Sequence, residues 1–181
     1  MKKILALALI TCFSLAVHAQ QYFTKNGRLS FFSKAMLENI QADNNQVISV
    51  INLATGDIQF SLLNNAFHFE KALMEDHFNA DYMESDKYPK STFKGTINNP
   101  SAVNANADGS YQVTVTGDLN IHGVTKKVTV PATITVKGGK LSASSVFNVK
   151  TADYKISIPA AVRNNIAETI QITVNCSYEK R

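Results

Sequence analysis

The chain has 181 residues, 45% of them hydrophobic and 18% charged, which is enough apolar material for the core of one ordinary domain. It carries 18 Lys and Arg against 14 Asp and Glu, a net charge of +4. Without Lys2 and Lys3, which belong to the N-terminal segment described next, the count is 16 against 14, or +2. Such a small excess gives no reason to expect a nucleic-acid partner.

Residues 1–19 have the pattern of a secretory signal peptide. Lys2 and Lys3 give a positive start, residues 4–17 are mainly apolar, and Val17-His18-Ala19 ends in small residues where signal peptidase needs them. We expect cleavage after Ala19, a single mature domain over residues 20–181, and a periplasmic or secreted location. The apolar run is shorter than the roughly 20 residues of a membrane span, and the mature chain contains no segment of that length.

Cys12 offers an alternative route, lipidation of the N-terminus, because residues 9–12 loosely resemble a lipoprotein box. The fit is poor, since Thr11 stands where Gly, Ala or Ser is expected. After cleavage at Ala19, Cys176 is the one cysteine left, so no intramolecular disulfide can form. The fold must therefore depend on its apolar core.

Period-two alternation of apolar and polar residues predicts about eight strands. One apolar and one polar face per strand, with Gly, Asn and Asp between strands, favours antiparallel pairing. The strands are long, and Gly95, Gly117 and Pro131 fit bends, bulges or an edge of a coiling sheet. We predict an all-β, antiparallel β-barrel, which removes exposed edges. The strands are expected at residues 29–32, 47–53, 58–62, 91–97, 110–122, 128–136, 141–149 and 170–178.

Two segments have helical rather than alternating patterns. Residues 33–41 follow a possible Ser cap and place Met36, Leu37 and Ile40 on one face. Residues 71–82 carry apolar side chains at helical spacings. We predict one or two short surface helices that cover a mouth of the barrel.

The mature sequence contains no catalytic or metal-binding signature. Its histidines, His68, His77 and His122, share no metal-ligand spacing, and we interpret His122 as hydrogen-bonded within its own turn. There is no Gly-x-Ser-x-Gly run, and Cys176 lies on the apolar phase of the last strand, as a buried small hydrophobe would. No cofactor is expected.

The predicted inward rows consist of small aliphatic residues. A barrel of about eight strands either fills its interior with side chains or holds one small ligand. A small lining leaves room for a ligand, but a filled barrel produces the same alternation. The residues alone therefore leave both possibilities open.

Two runs give the chain a family resemblance. Tyr-Pro-Lys-Ser-Thr-Phe at 88–93 is followed by Gly-Asp-Leu-Asn-Ile-His-Gly-Val-Thr-Lys at 117–126. Their order and spacing resemble the YceI-like family over roughly residues 56–179. The resemblance implies a lipocalin-like barrel of the periplasm that binds polyisoprenoid lipids.

The chain differs from the family pattern in three places. It opens with residues 26–32 and a predicted helix, where the family has a strand with a His-Ser pair. Met-Glu-Asp-His-Phe at 74–78 lacks the family's Arg, and Lys-Thr-Ala-Asp-Tyr-Lys at 150–155 replaces a typical Arg-Thr-Asp-Phe-Gly. If these places hold a lipid head group, the family's head-group preference does not carry over.

We predict a non-enzymatic protein that shelters an isoprenoid or similar long-chain amphiphilic lipid. Leu73, Met74 and Phe78 are expected to guard the mouth. Two alternatives remain: a filled barrel that serves as a structural or protein-interaction module, and a lipid-modifying enzyme with polar groups such as Asp153, Tyr154 or His77 converging inside. The predicted wall contacts are Phe60, Phe93, Val113, Val115, Leu119, Val130, Ile134 and Phe147.

Overall fold

The computed structural model describes residues 21–181, so the predicted signal peptide and Cys12 lie outside the described residues. All strand pairs are antiparallel, and the sheet closes because the first strand pairs with both the second and the last. The predicted eight-stranded barrel is confirmed, with one additional two-residue strand. The strands are β1 (Gln21–Lys34), β2 (Asn39–Asn52), β3 (Asp57–Leu63), β4 (His68–Phe69), β5 (Lys90–Ile97), β6 (Gly109–Ile121), β7 (Val124–Lys137), β8 (Lys140–Lys150) and β9 (Thr169–Lys180).

The sequence alternation becomes the inside–outside alternation of the barrel wall. On β6, Val113, Val115, Gly117 and Leu119 are buried, while the residues that alternate with them are more exposed. The β6–β7 hairpin keeps one register from Gly109↔Val136 to Ile121↔Val124. Apolar residues of neighbouring strands therefore face the same interior.

Residues 33–41 do not form the predicted helix. β1 and β2 remain paired as far as Lys34↔Asn39, and a tight turn joins them. Met36 and Leu37 lie on this turn, 83% and 69% exposed. Two 14-residue strands bonded to each other and to their neighbours outweigh a weak local helix propensity.

Residues 71–82 are helical, as predicted. Helix α1 (Ala72–His77) continues directly into a π-helical turn (Phe78–Tyr82), and we call this unit the mouth helix. The other helical pieces are short 3₁₀ turns at Asn64–Ala66, Pro100–Ala102, Thr151–Tyr154 and Ala160–Val162.

Gly95 and Gly117 face each other across β5 and β6 without the bulge that the sequence suggested. A Cβ atom on Gly117 would stand 2.5 Å from the Cα of Gly95 and 2.7 Å from the ring of Phe93. The glycines thus make room for the Phe93 ring against the backbone. Register shifts occur instead in β1, around Gly27.

One half of the barrel is packed solid. It contains Ile51, Ile134 and Leu141, each at most 2% exposed. Tyr178, in the same cluster, shares a 2.8 Å hydrogen bond between its hydroxyl and that of Ser49. We call this part, at the end where β1 begins and β9 finishes, the filled half.

Candidate ligand-binding cavity

The other half of the barrel encloses a cavity of about 600 Å³. All eight main strands contribute side chains to its wall, and the mouth helix and residues 151–166 contribute to its rim. The volume falls in the range of pockets that bind small molecules. The barrel is therefore filled at one end and hollow at the other, which decides the question that alternation left open.

Eight of the eleven predicted contacts line this cavity. Val113 and Ile134 do not: they are 7% and 1% exposed within the filled half. Leu73, on the mouth helix, is 66% exposed and points away from the cavity lining. Alternation identifies which face of a strand is inward, but not how far along the barrel the cavity extends. The lining residues are Phe60, Phe93, Val115, Leu119, Val130, Phe147, Met74 and Phe78.

Four phenylalanines fix the mouth helix to the barrel. Phe78 lies 5.5 Å from Phe31, 5.4 Å from Phe67 and 5.1 Å from Phe69, measured between ring centroids. Edge and offset contacts of this kind add to the burial of each ring. Sequence reasoning found Phe78 but not its three partners. The aromatic pair flanking His68 was a signal, because both rings had to share one face.

Residues 151–166 complete the rim where two strands part. β7 and β8 pair only between Thr133↔Ser144 and Lys137↔Lys140. Pro131 lies just beyond this ladder, at an edge position, and its carbonyl accepts a 2.6 Å hydrogen bond from the Ser145 hydroxyl. The turn Thr151–Tyr154 contacts both β7 and β8, and its Thr151 and Tyr154 line the cavity. This turn thus takes over the wall where the ladder ends.

An ion pair and a backbone hydrogen bond join the parts of the rim to one another. The Lys71 ammonium donates to the Glu38 carboxylate at 2.9 Å, so the β1–β2 turn is tied to the mouth helix. That hydrogen bond lowers the pKa of Glu38. On the other side, the backbone N–H of Leu37 donates to the carbonyl of Asn164 at 2.9 Å. The β1–β2 turn consequently links the mouth helix to residues 151–166.

His122 connects three segments of the rim. Its Nε2 lies 2.9 Å from a carboxylate oxygen of Glu84, and its Nδ1 lies 3.1 Å from the carbonyl oxygen of Tyr154. The interpretation of His122 as bonded within its own turn is therefore wrong. The hydrogen bond with His122 lowers the pKa of Glu84.

The turn that presents His122 needs its glycine. His122 and Gly123 have φ angles of 51° and 71°, in the left-handed region. A Cβ on Gly123 would stand 2.5 Å from the ring of Tyr88, which packs edge-on against His122 at 4.5 Å. The two sequence runs at 88–93 and 117–126 therefore meet in space, and their contact supports the rim.

The sequence pattern of the YceI-like domain matches residues 16–178. This chain belongs to the YceI-like family. A curated relative, a UPF0312 protein of Pseudomonas fluorescens, is 40% identical over 58 residues, which are 32% of this chain and 28% of that protein. The aligned part therefore spans less than a third of either protein.

Solved structures with the same fold include two proteins of low sequence identity. A polyisoprenoid binding domain from Saccharophagus degradans has a TM-score of 0.77 at 15% identity and covers 90% of this chain and 99% of that domain. BcnA of Burkholderia cenocepacia has a TM-score of 0.69 at 21% identity, with coverage of 85% and 96%. These likenesses establish the YceI-like fold.

Of the polar residues that the sequence suggested for the cavity, His77 and the buried Tyr154 line it and Asp153 does not. His77 pairs with Asp81 at 2.7 Å on the exposed mouth helix, and Asp153 pairs with Lys126 at 3.5 Å outside the cavity lining. In residues 21–181 no three His, Cys, Asp or Glu side chains are grouped to hold a metal ion. Over the same residues, no helix has the length and apolar character of a bilayer span.

Cys176 is placed in the filled half, as its apolar phase predicted. Burial raises the pKa of its thiol to about 11. A thiol in that state is a poor nucleophile at neutral pH.

Proposed function

We propose that this protein is a non-enzymatic binding protein that holds the apolar chain of an isoprenoid or similar amphiphilic lipid in the hollow half of its barrel. The observation that carries the proposal is the cavity itself: about 600 Å³, walled by aliphatic and phenylalanine side chains, and closed at one end by the filled half.

The energetics favour an apolar chain over a polar ligand. Phe60, Phe93 and Phe147 offer the wall no hydrogen-bonding group, and Val115 and Val130 offer none either. A polar ligand would lose its bonds to water there without replacement. Each methylene that leaves water contributes about 0.8 kcal/mol, so a chain of moderate length binds without specific polar contacts.

Most ionisable side chains of the cavity lining lie on the mouth helix, the β1–β2 turn or residues 151–166. Glu38, His77 and Asp81 line the rim, whereas Val115, Ala132 and Ala143 line the wall next to the filled half. This gradient suits an amphiphile whose chain enters first and whose head group stays near solvent. The structural neighbour from Saccharophagus degradans is described as a polyisoprenoid binding domain, which agrees with this ligand class.

The same proposal includes export and processing. Residues 1–19 would act as the signal peptide, and residues 20–181 as the mature lipid-binding domain in the periplasm. Intact-mass measurement of the exported protein should give the mass of a chain that begins at Gln20. A lipid-modified Cys12 would contradict it.

Native mass spectrometry tests the binding function. The protein purified from its own periplasm, without detergent, should carry an adduct that organic extraction identifies as a lipid with an unbranched or isoprenoid chain. After lipid extraction, the protein should bind a fluorescent prenyl probe with a stoichiometry of one probe per barrel. A change in fluorescence during titration measures this binding. Only apo-protein, together with no response to the probe, would reject the proposal.

A further inference from the structure

The cavity ends on a packed layer of side chains that sets its depth. Ala132 and Ala143 line the cavity, and the next inward position on β7 is Ile134, which pairs with Ala143. Ala143 pairs on its other side with Cys176. Ile134 and Cys176 are 1% and 3% exposed and do not line the cavity. They form its floor.

The floor is held from below. Tyr178 follows Cys176 by two positions on β9 and is 5% exposed. Its hydroxyl bonds that of Ser49 at 2.8 Å, which joins β9 to β2 across the intervening β1. Withdrawing Tyr178 would leave the Ser49 hydroxyl buried without a partner, which is costly. The floor is therefore a fixed stop and not a gate.

From this geometry we infer that the site selects its ligand by chain length. This inference rests on the proposed lipid-binding function. A water molecule occupies about 30 Å³ in the liquid, and we take the same volume for a methyl or methylene group. The cavity of about 600 Å³ therefore holds roughly 20 carbon atoms, or about four isoprene units. A longer prenyl chain leaves its remaining units outside the mouth.

Partition between the protein and phosphatidylcholine vesicles separates chain length from general hydrophobicity. A bilayer buries every isoprene unit, whereas the cavity buries about four. The measured quantity is the ratio of alcohol bound to the protein to alcohol in the vesicles. For prenyl alcohols of 10, 15 and 20 carbons, this protein-to-vesicle ratio should stay level or rise. It should fall at least tenfold for each further unit, because an unburied unit forgoes the transfer energy of its carbons.

Two variants test whether the floor sets the limit. Ile134→Ala removes three carbons directly beneath the cavity, so the ratio for the 25-carbon alcohol should rise at least threefold while that for 20 carbons is unchanged. Leu53→Ala removes as many carbons from a 6% exposed side chain at the far end of the filled half. It serves as the control for lost stability and should leave both ratios unchanged.

The outcomes distinguish this inference from the proposed function. A ratio that holds level from 20 to 40 carbons would overturn the length limit while leaving lipid binding intact. An unchanged limit in Ile134→Ala would show that the floor does not set it. Failure of every alcohol to leave the vesicles would reject the lipid-binding function together with the inference.

Discussion

Ala132→Phe should block lipid binding without harming the fold. Ala132 is a half-buried, inward residue of β7 in the wall of the cavity. The substitution adds six carbon atoms, and the cavity provides empty space for them. The new ring should enter the cavity, because that orientation buries it without displacing the filled half.

The size of the effect follows from the volume. Six added carbons occupy roughly 180 Å³, about a third of the 600 Å³ available. A 20-carbon chain that fills the cavity must withdraw a similar number of carbons, at about 0.8 kcal/mol each, for an upper limit near 5 kcal/mol. A flexible chain recovers part of this lost binding free energy by shifting toward the mouth. We expect a loss of roughly 2–5 kcal/mol, a factor of at least about 30 in Kd.

Titration of a fluorescent 20-carbon prenyl probe, which fills the cavity, measures the affinity, and urea unfolding measures stability. Thr129→Phe is the matched control, since it places the same ring on the exposed outer face of the same strand. It should bind the probe as the wild type does. If Ala132→Phe is folded and its Kd lies within twofold of the wild-type value, the chain does not occupy this cavity and the reasoning is refuted.

Three further predictions concern the rim and the filled half. Phe78→Ala should destabilise the protein by about 2 kcal/mol, less than the 3–5 of a fully buried Phe, and should speed ligand release in stopped-flow dilution. Leu73→Ala, on the exposed face of the same mouth helix, should change neither the stability nor the rate of ligand release. Because the pKa of Glu84 is lowered in the folded protein, its stabilising effect is present above the ordinary Glu pKa of about 4.3 and is lost as pH falls through the lowered value. Glu84→Gln should therefore flatten the loss of unfolding free energy as the pH falls below about 5, and an unaltered slope would contradict this role. Cys176 should resist iodoacetamide at pH 8 in the folded protein lacking residues 1–19, because its pKa is about 11, and should react once urea exposes it; fast labelling of the native protein would argue against its burial.

The strands were predictable because each barrel strand must separate an apolar interior from water with a period of two. The rows containing Val115 and Val130 follow this rule along their whole length, and all eight main strands could be located from it. The segment 33–41 was mistaken for a helix because the spacing of Met36, Leu37 and Ile40 is ambiguous over so few residues. Pairing between β1 and β2, which is non-local information, decides that segment.

The depth of the cavity could not be read from the sequence. Val113 and Val115 are the same residue type on the same face, yet only Val115 lines the cavity. The difference depends on where Tyr178 and Ile134 fill the interior, which the closure of the sheet determines. The partners of His122 were equally out of reach, since Glu84 and Tyr154 lie 38 and 32 residues away in the chain.

The central claim is that a lipid chain lies inside the hollow half with its end near the floor. A 15-carbon prenyl alcohol with a photoreactive diazirine at the far end of its chain tests this directly. After irradiation and digestion, the label should be found on the β6 and β7 peptides that carry Val115 and Ala132, and excess unlabelled alcohol should remove it. Labelling confined to the mouth helix or to the outer face of the barrel would contradict the claim.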